Sequence, residues 1–155
     1  MSRRVLVPDT SVLVAAHFPE QSSRQAERLV RAIYSQQVTA FAPCSASNEF
    51  LKTALEKCAS RSSAQRVALQ IATDQVQRFF QLGLTMISTY HLQEQAWVLM
   101  SEHQISPPDS WFLACAMMTN AELWLTHDHR DGFVEAARRV HNSDHTLDRD
   151  SGILS

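Results

Sequence analysis

Short continuous apolar runs separated by stretches of helical period constrain this chain more than any other feature. Val5-Leu6-Val7-Pro8 and Leu123-Trp124-Leu125 read as strands buried on both faces. Between them, Ala26, Leu29, Val30, Ile33 and Tyr34 recur at i, i+3, i+4, i+7 and i+8, an amphipathic helix. Strands joined by helices rather than tight turns need crossover connections, and such connections build a parallel sheet with helices on both faces.

The same reasoning sets out the whole chain. Strands are predicted at 4–8, Val38–Ala42, Leu84–Ile87 and Glu122–Thr126. Helices are predicted at Thr10–Phe18, after Ser22-Ser23, at Ser45–Cys58, at His91–His103, at Pro107–Asn120 and at Gly132–Val140. A further long helix carries Val67, Leu69, Ile71, Val76, Phe79 and Phe80 and ends near Gly83. In the Ser45–Cys58 helix, Phe50, Leu51, Ala54, Leu55 and Cys58 share the face expected to be buried. The tail from His141 is polar and without a period, and it does not read as a final strand. Residues 1–155 are expected to form one domain, with the tail 141–155 left unassigned.

Composition narrows the function. Hydrophobic residues make up 45% and charged residues 19%, as in ordinary globular proteins. No apolar run approaches the roughly 20 residues that span a bilayer. Met1-Ser2-Arg3-Arg4 leads into too few apolar residues for a signal peptide. The cysteines, Cys44, Cys58 and Cys115, are odd in number and widely spaced, which fits reduced thiols in a cytoplasmic protein. No glycine-rich loop is present, so a P-loop nucleotide enzyme is excluded.

Four acids stand where a strand ends or a helix begins: Asp9, Glu49, Asp109 and Asp128. Each has a plain structural reading. Asp9 suits a helix cap, Glu49 and Asp109 suit the positive end of a helix, and Ser106 with Asp109 has nearly the form of a capping box. Asp131 could cap the last helix, which leaves Asp128 without that explanation. The residues just past strand carboxyl ends also line the ligand crevice of an open parallel sheet. Carboxylates gathered there repel one another unless a cation joins them, and an all-oxygen set suits Mg²⁺ or Mn²⁺. His127 and His129 flank Asp128, a weaker pattern that equally describes surface histidines.

Net charge is −2, which at first sight argues against a nucleic-acid substrate. Without the four acids, however, the remainder is net basic, and Arg24, Arg28 and Arg31 fall on one helix face. Such a strip can hold a phosphate backbone, and it is equally an ordinary solvated face.

Taken in order, these motifs resemble the PIN-domain family of metal-dependent ribonucleases, and most closely the small VapC-type toxins of toxin–antitoxin pairs. The pieces are Asp9-Thr10-Ser11 after the first strand, Glu49 in the helix after the second, Asp109 opening Phe112-Leu113-Ala114-Cys115-Ala116, and Thr126-x-Asp128 after the fourth. The resemblance implies a three-layer α/β/α fold with a short parallel sheet. It also implies an RNA-hydrolysing site in which Asp9, Glu49, Asp109 and Asp128 hold Mg²⁺ or Mn²⁺. Ser11 and Thr126 would orient ligands, and Asp131 could stand in for Asp128. Expected partners are RNA and an antitoxin protein, with the apolar faces at 26–34 and 67–80 as candidates for a homodimer surface. The competing reading is a catalytically silent PIN-like module that binds RNA or protein.

Overall fold

The computed structural model describes residues 3–18, 24–125, 131–141 and 144–146. Strands β1 (Val5–Pro8), β2 (Thr39–Pro43), β3 (Thr85–Ile87), β4 (Glu122–Leu125) and β5 (Asp144–Thr146) form a parallel sheet ordered β3-β2-β1-β4-β5. Helices α1 (Thr10–His17) and α2 (Arg24–Tyr34) connect β1 to β2. Helices α3 (Ser45–Cys58) and α4 (Leu69–Phe80) connect β2 to β3, α5 (Thr89–His103) and α6 (Pro107–Thr119) connect β3 to β4, and α7 (Asp131–Val140) leads to β5.

Parallel crossovers are almost always right-handed. The chain moves outward from β1 to β3 and then reverses to β4 and β5, so the first four helices cover one face and the last three the other. The side chains divide accordingly. Leu6 and Trp124 pack with Val12, Leu13, Leu29, Phe50 and Phe79, whereas Val7, Leu123 and Leu125 pack with Leu92, Leu99, Phe112 and Ala136. Adjacent strand residues thus feed opposite cores, as the two-residue period of a strand requires. The result is a three-layer α/β/α fold.

Pro8 ends β1 in the centre of the sheet. The Asp9 N–H points to β4, so an N–H at position 8 would point to β2; proline has none, and the β1–β2 register ends at Leu6↔Ala40. On the other side the ladder continues, with the Asp9 N–H donating to the Trp124 carbonyl at 2.9 Å.

Three expectations need correction. The tail does add a strand: β5 pairs parallel with β4, from Leu123↔Asp144 to Leu125↔Thr146. The sequence Asp144-His145-Thr146 has no apolar pattern, and β5 is recognised by its backbone pairing alone. In α3, Leu55 is exposed, and Ala46, Phe50 and Ala54 form the buried stripe. In α4, Leu69, Ile71 and Phe80 are exposed while Ala72 and Phe79 are buried. An apolar residue on a helix may face outward at little cost, so type alone did not settle which face was inner.

Candidate metal-binding active site

The sheet order reverses between β1 and β4, and in open α/β sheets ligands bind in the crevice outside the carboxyl ends of strands at such a point. Asp9 occupies it. Only 4% exposed, it caps α1, and its Oδ2 accepts from the Ser11 N–H at 3.0 Å and the Ser11 hydroxyl at 2.6 Å. The capping role and the site role are therefore the same geometry: the cap holds the carboxylate in one orientation.

Glu49 arrives from α3. Phe50, fully buried, stacks on Phe79 with ring centroids 4.2 Å apart and fixes the rotation of the helix. Its neighbour Glu49, about 100° around the helix axis, is half-buried and accepts from the Thr10 hydroxyl at 3.0 Å. Burial pushes the Glu49 carboxyl above its ordinary range. The Thr10 hydrogen bond pulls it down, negative charge on Asp9 and Asp109 pushes it up again, and Lys52 pulls it down. That mutual repulsion is the mark of three carboxylates converging on one region.

Asp109 lies in the first turn of α6, a helix whose Ser110 and Phe112–Ala116 are all buried. So deep an anchorage keeps its amino end in place. Ser106 occupies the cap position, but its hydroxyl donates to Asp109 Oδ2 at 2.7 Å instead of capping the backbone. The capping box anticipated from sequence is thus turned toward the acid.

Each of the three acids accepts a hydrogen bond from a hydroxyl: Ser11 for Asp9, Thr10 for Glu49, Ser106 for Asp109. The Ser11 bond was anticipated from sequence. The specific pairing of Thr10 and the role of Ser106 were not, because only the fold brings α1 to α3 and a cap hydroxyl admits two readings. Asp128 and Thr126 lie outside the described residues, as do His127 and His129. Asp131 is the first residue of α7. Arg24, Arg28 and Arg31 are exposed on α2.

Among the described residues no three His, Cys, Asp or Glu side chains are close enough together to grip an ion. The donor chemistry nevertheless fits a hard divalent ion. The carboxylate oxygens are held in place by hydroxyls, and a buried Ser45 hydroxyl that has no hydrogen-bond partner among the described residues lies one helical turn before Glu49.

Fold and acidic crevice together define a nuclease-type α/β/α protein. The family profile of the PIN domain matches residues 6–139, and the chain belongs to that family. PIN domains are generally nucleases, usually with divalent metal ions, so the substrate class is nucleic acid. No curated protein matches the chain. Among the described residues no helix is long and apolar enough to cross a membrane.

Proposed function

We propose that this chain is a metal-dependent endoribonuclease, and the toxin of a toxin–antitoxin pair. The observation that carries the reading is the gathering of Asp9, Glu49 and Asp109 at the switch point of the sheet, each accepting a hydrogen bond from a hydroxyl. Asp9, Glu49 and Asp109, with Asp128 as a fourth acid, would hold Mg²⁺ or Mn²⁺. When bound, such an ion supplies Lewis acidity toward water and toward the phosphodiester. The chain's own contribution is orientation. Ser11, Thr10 and Ser106 keep the carboxylates turned inward, as hydrogen-bonded outer groups do around metal ligands.

The test is cleavage of total RNA by the purified chain with Mg²⁺, Mn²⁺ or EDTA, beside Asp9→Asn. Metal-dependent cutting, lost in Asp9→Asn with an unchanged circular dichroism spectrum, supports the assignment. Cutting that survives Asp9→Asn refutes it. The second reading is a silent module that binds RNA or protein. Well-folded protein that binds RNA and cuts nothing with either metal would establish that reading. The toxin role adds a partner: an antitoxin peptide could present an arginine to the acidic crevice, since guanidinium pairs well with carboxylates. Co-purification with a small protein that suppresses cleavage supports that role, and harmless overexpression of an active enzyme counts against it.

A further inference from the structure

A cavity lies away from the four candidate acids, between the carboxyl end of α1, the length of α2 and the carboxyl half of α4. Its volume is about 770 Å³, within the range of roughly 300–1,000 Å³ typical of small-ligand sites. Helix α1 links the two places: Asp9 caps its start and His17 ends it, roughly 12 Å apart by helical rise.

The lining is chemically mixed. Arg31 on α2 and Arg78 on α4 bring positive charge from two helices, and both are exposed. Glu27 lies 3.9 Å from Arg31, an exposed and weak pair. No ion pair engages Arg78 among the described residues. Tyr34 is 67% exposed at the end of α2, and Gln75 and Gln81 add amides from the α4 side. His17 also lines the cavity although only 5% exposed. Its Nδ1 lies 2.7 Å from the Leu13 carbonyl, which can only accept, so Nδ1 carries the proton. Burial keeps the ring neutral against the pull of that carbonyl, and nearby Arg78 acts in the same direction as burial. The remaining nitrogen, Nε2, is therefore an acceptor.

We propose that this cavity binds a nucleotide of single-stranded RNA remote from the cleaved bond, with Arg31 and Arg78 on its phosphates and Tyr34 against its base. An acidic peptide would meet the same arginines. A nucleotide also uses the aromatic face, the amides that match a base edge, and the acceptor nitrogen of His17, which can receive a base amino group or a 2′-hydroxyl. The inference rests on the ribonuclease reading for its choice of RNA, but its test does not require cleavage.

The experiment is fluorescence anisotropy of a short mixed-sequence RNA, single-stranded or duplexed, with the full chain in EDTA. Arg31→Ala with Arg78→Ala should weaken single-strand binding about tenfold or more and reduce the salt slope by about 0.7 per arginine. Tyr34→Ala should weaken it about fivefold or more, and duplex should bind less well than single strand. All three side chains are exposed, so their loss leaves the fold intact, which circular dichroism checks. No binding by the wild type, wild-type affinity in the variants, or equal affinity for duplex overturns the inference. So does a copurifying protein released by the variants while RNA binding is unchanged, which would give the cavity to that protein. Weakened binding in the variants beside a wild type that cuts nothing keeps the subsite and removes the nuclease. Cutting by the wild type with undisturbed binding in the variants does the reverse.

Discussion

The two ends of the central strand are built on opposite electrostatic plans. At the amino end of β1, Arg4 grips Glu122 at the start of β4 with two bonds, 3.1 and 2.6 Å, while the Trp124 indole N–H also donates to Glu122 at 3.3 Å. Opposite charges meet there, and the pair ties the first strand to the fourth. At the carboxyl end, Asp9, Glu49 and Asp109 bring like charges together, eased by hydroxyl and backbone N–H hydrogen bonds and, at Glu49, by the pull of Lys52. One end uses its charges to hold the sheet, and the other sets like charges against one another. A fold that tolerates such repulsion at one edge draws its stability elsewhere, here from the two cores that β1 separates.

Glu49→Gln breaks this contrast most strongly. Cleavage should vanish, while the protein without metal becomes more stable at neutral pH because a repelling charge is gone; thermal denaturation in EDTA beside the RNA assay reads both. A less stable Glu49→Gln would mean that the carboxyl end holds no electrostatic strain. Next in size, Ser106→Ala and Thr10→Val should each lower cleavage about 10- to 100-fold with the fold retained, the usual effect of removing a group that orients a metal ligand. Wild-type rates in both would show that the carboxylates are set by packing alone.

The pH dependence follows in sign from Glu49. Its carboxyl is raised above 4.5, so between that value and its own pKa the folded chain holds a proton that the unfolded chain has lost. Stability in EDTA should therefore gain a component as pH falls through the raised pKa, complete near 4.5, and Glu49→Gln should lack it. With Mg²⁺ present the component reverses, since the ion needs the ionised carboxylate. Parallel curves for the two proteins would remove Glu49 from the account. The smallest effect belongs to the amino end. Glu122→Gln should cost about 1 kcal/mol or less, since the pair is partly exposed, and leave cleavage unchanged.

Much of this organisation was legible in the residues. The Ser45–Cys58 helix appears with the bounds that its period predicts, and the strand before Asp9 and the helix opened by Pro107 differ only at their ends. Those segments carry strong local signals: apolar runs, caps and proline stops. What local signals do not carry was missed. β5 is polar and recognised only by its pairing with β4, and the outward turn of Leu55, Leu69 and Phe80 depends on which neighbours α3 and α4 meet. For the site, the acids were visible as residues at element ends. Thr10 and Ser106 were visible as hydroxyls near Asp9 and Asp109, but the bond from Thr10 to Glu49 and the turn of Ser106 toward the Asp109 carboxylate became visible only when the chain closed on itself.

The position of β1 sets a timetable for synthesis. This strand is made first but lies in the middle of the sheet, with β4 as one of its two neighbours. At roughly 5–20 residues per second, a ribosome needs several seconds to pass from β1 to the end of β4. Until then Asp9 lacks the Trp124 carbonyl that anchors its backbone, and for most of that interval Asp109 does not yet exist. A nascent chain therefore cannot assemble the acidic crevice before β4 has been made.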